Sequence, residues 1–438
     1  MKMKKTIVFA MIILSLLLIA AGAYAYDRAA AADAYAARLR ETYDGALLVS
    51  LARIEDMQVK LQKALVAGSR EDGVRYLTAV LSGAESVRQN LSLLPLSHEA
   101  TQKAVKFANQ LGDYAETLVA DAQTGFTETD YAALDGMIAA CGQLREAIDA
   151  ARGDIAAFAV SGGSAYWLSG GEAAESGGGL GDGDVSYPTL IYDGPFSDGL
   201  AAGEPKALGE QFVTREEAET LARGYVGAAR VTGLSAGADA GGAIPAYGVT
   251  VQAGDVTLEL AISKTGGKLL WMSPDTAGFE ARAGIEECRA AAEKYLNRIG
   301  FGDVRACSFQ VYDGVAVINF AAVQGGVTLY PDLVKTQLRM DTAEVVGVEA
   351  TRYLTNHAPR AGLVAASSEA DARAALSDKL TVDAARLCVI PLGASEAFCY
   401  EFTCRYKSDT FLVYIDAATG AQRELLKIVE NGGGILTV

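Results

Sequence analysis

The feature that most constrains this chain is a unit written three times in its C-terminal half. Each copy opens on a helix signal, passes through residues of alternating polarity and closes on a hairpin. In the first, Thr214 and Glu217 fit a capping box ahead of Ala218, Leu221, Ala222 and Tyr225. Val256, Leu258, Leu260 and Ile262 then alternate with polar residues, as a half-buried strand does, and Thr265-Gly266-Gly267 turns the chain into Lys268 to Met272. The second has a helix around Glu286 to Ile299, strands around Cys307 to Val323, and a hairpin from Gln337 through Met340 to Val348. The third has Ser368 and Asp371 as a cap, a helix through Ala375 and Leu380, strands near Phe398 to Tyr406 and Phe411 to Ile415, and a last strand to Val429. Gly266 and Gly420 occupy matching turn positions, where glycine takes a positive φ without strain. Ala343 stands at the equivalent point of the second copy, so a different turn is expected there. The pattern predicts three helix-plus-antiparallel-sheet repeats of the α+β type, at 210–280, 281–360 and 361–438.

The N-terminal third reads differently. Lys2, Lys4 and Lys5 precede a charge-free run from Thr6 to Ala23, followed by Asp27 and Arg28. About 20 apolar residues in a helix span a bilayer, so residues 1–25 are expected to be a membrane anchor with the lysines in the cytoplasm and the rest of the chain outside. Ala23-Tyr24-Ala25 also fits a signal-peptidase site, which gives the same compartment. From 26 to 160 apolar residues recur every three or four positions. Leu39, Tyr43, Leu47, Leu51, Ile54, Met57, Leu61 and Leu65 mark one helix, and Val74, Leu77, Leu81, Val87, Leu91 and Leu94 a second, interrupted at Pro95. Ser97 caps a third helix carrying Phe107, Leu111, Tyr114 and Leu118; Thr127 and Asp130 cap a fourth with Leu134, Ile138, Cys141, Leu144 and Ile148. Four such stripes need partners, and a helical bundle supplies them. Residues 161–209 follow as a linker, Gly-rich from Ser161 to Gly183. The fold class is therefore α+β multidomain: membrane helix, helical bundle, then the three repeats.

Composition narrows the chemistry. Lys and Arg total 38 against 54 Asp and Glu, a formal charge of −16, so the surface repels phosphate backbones and no nucleic acid is expected. The six cysteines form no C-x-x-C pair and read as small buried hydrophobes, with disulfides left open. His98 and His357 are the two histidines of the whole chain, which all but removes histidine-based nucleophilic catalysis. The carboxylate pairs Glu216/Glu217 and Glu286/Glu287 lie at helix starts, where the helix dipole explains them. No catalytic residue, cofactor or metal is assigned.

One connecting segment stands out: Tyr187-Pro188-Thr189-Leu190-Ile191-Tyr192-Asp193-Gly194-Pro195-Phe196-Ser197-Asp198. Pro188 forces Tyr187 into an extended conformation, and Asp193-Gly194-Pro195 turns the chain. It reads either as a connector docking the linker on the first repeat, or as a partner-binding edge formed by Tyr192, Asp193, Gly194, Pro195 and Phe196, with the two aromatics as anchors.

The D-x-x-T-G hairpin at Asp416 to Gly420 resembles that of PepSY domains, which makes the three repeats PepSY-like. The 187–198 segment resembles the signature of the YpeB sporulation and germination family. Ile54 to Ser69, Lys106-Phe107, Gln110 to Tyr114, and Tyr353-Leu354-Thr355-Asn356-His357 are similar to that family in the same order. The Gly-rich insert and the absent Thr-Gly of the second repeat are departures. The resemblance implies a non-enzymatic spore germination protein that stabilises, localises or restrains a cortex-lytic enzyme of the SleB type. It also implies a place at the inner spore membrane, held through residues 6–25, with the bulk outside. Self-association is left open. Two other classes stay in view: a carboxylate peptidoglycan hydrolase, and a membrane sensor, for which the few residues ahead of the apolar run leave little output domain.

Overall fold

The computed structural model describes residues 2–94, 98–120, 126–150, 204–241, 243–275, 278–392, 395–431 and 434–437. Side chains at 2–17, 98–107, 120, 147, 150, 430, 431 and 436 lie outside that description, as do Pro95, Ser97, the Gly-rich stretch 161–183 and the 187–198 segment. The chain divides into two compact units, residues 1–185 and 186–438.

The first unit holds α1 (Lys2–Leu65), α2 (Arg70–Leu91), α3 (His98–Ala120) and α4 (Glu128–Ala150). α1 packs on α2 and α4, and α2 on α3. The expected stripes meet in the middle: Leu47, Ile54, Met57 and Leu61 are buried with Leu77, Val87 and Leu91, Leu111 and Leu118, and Leu134, Cys141 and Ile148, while on α2 Val80 is buried and the expected Leu81 only half-buried. Ser69 accepts from the Asp72 backbone N–H at 3.1 Å to start α2. Thr127 and Asp130 exchange the expected capping bonds, 2.8 and 3.3 Å. From residue 18 to about Gly45 most of α1 is exposed. Among the described residues no helix is long and apolar enough to cross a membrane; the run Thr6 to Ala23 falls mostly where side chains lie outside the description.

The second unit contains α5 (Arg215–Val226) and β1–β4 (Val231–Ala236, Ala246–Ala253, Val256–Ser263, Leu269–Pro274). α6 (Ile285–Arg298), β5–β8 (Val304–Tyr312, Val315–Gln324, Val327–Arg339, Glu344–Glu349) and the short α7 (Thr351–Asn356) follow. α8 (Glu369–Arg373) and β9–β13 (Thr381–Leu392, Ser395–Tyr406, Asp409–Asp416, Gln422–Asn431, Gly434–Thr437) complete it. The strands do not form three small sheets. They join in one sheet of thirteen, ordered β1-β2-β3-β4-β8-β7-β6-β5-β13-β12-β11-β10-β9, and β9 returns to pair with β7 in parallel through Thr328↔Cys388 and Leu329↔Val389. The last eight strands in that order, from β7 to β9, thus close a ring, and closure removes the exposed edges that isolated sheets would present.

β7 is the branch point. Its N-terminal part pairs with β9, its C-terminal part with β8, and β6 runs beside both. Between them Leu329↔Ala322 jumps to Leu333↔Ala321, so Tyr330, Pro331 and Asp332 bulge out of register. Proline has no N–H for the ladder, and a bulge is where a strand tolerates it. β6 is buried without break from Val315 to Ala322, because the helix-side core takes Ile318 and Phe320 and the ring interior takes Ala321. That explains a run apolar but for Asn319, which donates to Ser308 at 2.9 Å, where one-faced strands alternate.

Two expectations fail. The capping box of Ser368 and Asp371 forms, but α8 ends at Arg373 and does not reach Ala375 or Leu380. Only Ala372 of this helix is buried, and Ser377 diverts to the Lys379 N–H, so no apolar face offsets the ordering of further turns. The second hairpin also does not differ as expected: Ala343 has φ 56°, beside 79° at Gly266 and 73° at Gly420. The left-handed position is kept in all three hairpins, and here the alanine carries the strain. A left-handed residue with a Cβ costs about 1–2 kcal/mol. Glycine gives back about 0.5–1 through its unfolded freedom. Ala343→Gly should therefore stabilise the unit by up to about 1 kcal/mol, read as a rise in the urea midpoint.

The D-x-x-T-G motif has a local cause. One Asp416 oxygen accepts from the Ala418 and Thr419 N–H groups, both at 2.9 Å, and the other from Arg423 at 2.9 Å. Burial raises this carboxyl, but the two amides and the guanidinium outweigh it and hold it below its ordinary range.

Candidate functional site

The chemistry-bearing residues of the second unit gather around α7, which the Tyr353 to His357 motif builds. Tyr353 and Leu354 are buried; the Leu354 carbonyl accepts from the N–H groups of Lys206 (3.1 Å) and Ala207 (3.0 Å), so the chain entering the unit is pinned here. The Tyr353 ring meets Phe301 edge-on at 4.8 Å and stacks on His357 at 4.3 Å. Burial and then the charge of Asp332 push its phenol up to about 12. Asn356 donates to the Pro331 carbonyl at 3.2 Å. His357 caps the end of α7, and its Nδ1 lies 2.7 Å from Asp332 Oδ2.

Asp332 is the anchor of this junction. It is fully buried, and Arg360 grips both its oxygens, at 2.6 and 2.8 Å. The same guanidinium holds both oxygens of Glu396 at the start of β10, at 3.0 and 2.7 Å. Burial works against the Arg360 charge, but Glu396 and Asp332 together keep it firmly protonated. Since a carboxylate in a bidentate arginine pair is ionised, the His357 Nδ1 carries the proton and donates it. The network thus ties α7, the β7 bulge and β10 to one another.

Beside α7 opens a cavity of about 300 Å3. Its walls include Tyr225, Leu269, Phe301, Tyr353 and Leu354, and its rim Lys206, Lys268 and His357; among the described residues no acidic side chain lines it. The Tyr225 hydroxyl donates to the Gly267 carbonyl at 2.6 Å, and Arg298 donates to the Gly224 and Tyr225 carbonyls at 2.6 and 2.9 Å, fixing the end of α5 against α6.

A second buried cluster lies inside the strand ring. Glu401, 1% exposed, accepts from the Tyr330 hydroxyl at 2.5 Å and from Arg386 Nε at 2.6 Å. Tyr414 meets Tyr330 edge-on at 6.2 Å. Cys388 and Cys399 face each other across β9 and β10, both buried. All six cysteines are free thiols, five buried and Cys307 half-buried. Burial, then Glu401, raises both Cys307 and Cys388, the first to about 12, so neither is a nucleophile at neutral pH.

Of the residues singled out in the sequence, Tyr353 and His357 stand in this site, whereas Tyr192, Asp193, Gly194, Pro195 and Phe196 lie outside the described residues. Sequence reasoning missed Asp332, Arg360, Glu396, Glu401, Arg386 and the two lysines. A signal existed for two of them. Asp332 in V-T-L-Y-P-D-L-V and Glu401 in F-C-Y-E-F are lone acids inside apolar strands, and a buried acid demands a cationic partner.

A helical unit followed by a helix-and-sheet unit of this kind has its match among sporulation proteins with PepSY domains. A family model described as YpeB sporulation, PepSY1 and PepSY2 domains matches residues 184–362, and one described as YpeB N-terminal matches residues 31–160. The chain belongs to the YpeB family. It is 26% identical over 229 residues to sporulation protein YpeB of Halalkalibacterium halodurans, covering 51% of each chain. With sporulation protein YpeB of Bacillus subtilis it shares 29% over 171 residues, 38% of each. The chain thus spans about half the length of the first of these curated relatives and less of the second. The solved Bacillus megaterium YpeB C-terminal domain is similar at 24% identity and a TM-score of 0.46, covering 50% of this chain and all of that one.

Proposed function

We propose that this protein is a non-enzymatic spore germination factor that stabilises, localises or restrains a cortex-lytic enzyme of the SleB type. In this reading residues 6–25 hold it at the inner spore membrane with the bulk outside, and residues 361–438 serve as a third PepSY-like module. Tyr192 to Phe196 supply partner contacts. Membership of a family of sporulation proteins supports the setting. The observation that carries the non-enzymatic part is the state of the buried acids: Asp332 and Glu401 are each committed to an arginine and a second donor, so neither is free to move a proton. β1, with a strand on one side only among the described residues, offers an edge to a partner.

The test is capture of the tagged full chain from dormant spores with mass spectrometry of what it holds, alongside incubation of the purified chain with cortex peptidoglycan. Recovery of a lytic transglycosylase, reduced in a Tyr192→Ala/Phe196→Ala variant, and no release of muropeptides are the expected results. Muropeptide release by the purified chain, or capture of lipids and peptides alone, overturns the reading.

A further inference from the structure

We infer that the cavity beside α7 is a binding site for a small amphipathic carboxylate, chemically the apolar C-terminal residue of a short peptide. In a chain with sixteen more acidic than basic side chains, a pocket rimmed by two lysines and a histidine, with no acid among the described residues that line it, runs against composition. Among the described residues no carboxylate pairs with the ammonium of Lys206 or Lys268, so their charge is available to a ligand. His357 is oriented from behind by Asp332 at 2.7 Å; with its proton on Nδ1 the second ring nitrogen is an acceptor, which suits the amide N–H of a peptide, while the lysines take the carboxylate.

The rest of the lining decides which anion fits. Selective phosphate sites combine backbone N–H nests or arginine forks with any lysine point charge. Here most of the lining N–H groups are spent: those of Gly300, Phe301, Leu354 and His357 go to Asn297, Leu296, Ala350 and Tyr353, and those of Lys206 and Ala207 go to Leu354. Among the described residues no arginine lines the cavity. Two ammonium groups act as point charges with no demand on geometry, which suits a single carboxylate. Below them Tyr225, Phe301 and Tyr353 form an aromatic wall already fixed by the Gly267 bond, the edge-on contact and the His357 stack, so an apolar side chain enters with little ordering cost. The volume, about 300 Å3, is at the small end of ligand sites and suits one or two residues.

The experiment titrates the purified full chain with N-acetyl-alanyl-phenylalanine bearing a free carboxylate, with its C-terminal amide, and with inorganic phosphate, by calorimetry. Saturable binding of the acid is expected, weaker by about tenfold or more for the amide, with phosphate failing to compete. Lys206→Ala/Lys268→Ala should weaken the acid by a similar factor; both side chains are exposed, and an unchanged melting curve verifies the fold. No saturable binding of the acid, equal binding of acid and amide, indifference to the double substitution, or effective competition by phosphate would each overturn the assignment. The inference does not rest on the enzyme-holding role: either can fail while the other stands, because spore capture and peptide titration read different surfaces.

Discussion

Asp332→Ala should lower the unfolding free energy of the second unit by about 3 kcal/mol, the lower part of the range for breaking a buried ion pair. The carboxylate is fully buried, and three donors converge on it: both ends of the Arg360 fork and the His357 ring. Removing it leaves a guanidinium that is only 14% exposed facing apolar space. The effect is held to the low end because Arg360 keeps both bonds to Glu396, whose side chain is 37% exposed and so already well solvated. Asp332→Asn should not rescue: it keeps the shape but turns an amide N–H toward the arginine. Urea denaturation of both variants gives the loss directly, provided the slope is unchanged. A loss below about 1 kcal/mol for alanine would mean that water reaches Arg360 and that the junction is not dry. Since α7 hangs on this carboxylate through His357, the variant should also blunt the peptide titration.

That junction shows where sequence reading succeeds and where it stops. Local signals carried well: the capping pairs Thr127/Asp130, Thr214/Glu217 and Ser368/Asp371 all form, because a cap needs only residues three apart. The stripes of the first unit were also legible, since helical periodicity reports the buried face without knowledge of the neighbour. What depended on distant pairing was not. β9 was missed because Asp383, Ala384, Ala385 and Arg386 show no alternation; its outer half is exposed and only Cys388 to Ile390 are buried. β7 was read as a hairpin arm from Gln337, since Pro331 and Asp332 break the pattern that the bulge accommodates. Ring closure rests on two residue pairs between β7 and β9 and two between β13 and β5, and nothing local in the sequence marks them. The site followed the same rule. Tyr353 and His357 were visible as a motif, but Asp332, Arg360 and Glu396 come from three elements of the fold and acquire meaning only once it is closed.

The ring interior gives the other large effect. Glu401→Ala should cost about 3 kcal/mol, because it removes the carboxylate that accepts from the Tyr330 hydroxyl and leaves Arg386 without its ion pair. Arg386 is 39% exposed and can turn toward water, which keeps the loss from the top of the range. Burial first, and then the charge of Glu401, pushes the Tyr330 phenol well above its ordinary value, so the hydroxyl stays protonated and must donate somewhere. The informative partner is the triple variant Tyr330→Phe/Arg386→Met/Glu401→Leu, which removes the whole set instead of one member. Buried ion pairs replaced together by apolar groups are often neutral or stabilising, by about 1–4 kcal/mol, so this protein should recover most or all of the stability lost in Glu401→Ala. Its capture of a partner from spores should be unchanged if the cluster only fills the ring. A triple variant that folds with a normal urea transition yet captures nothing would assign the Glu401 cluster to partner binding. Chemical denaturation and capture on the same preparation therefore separate a role in packing from one in recognition.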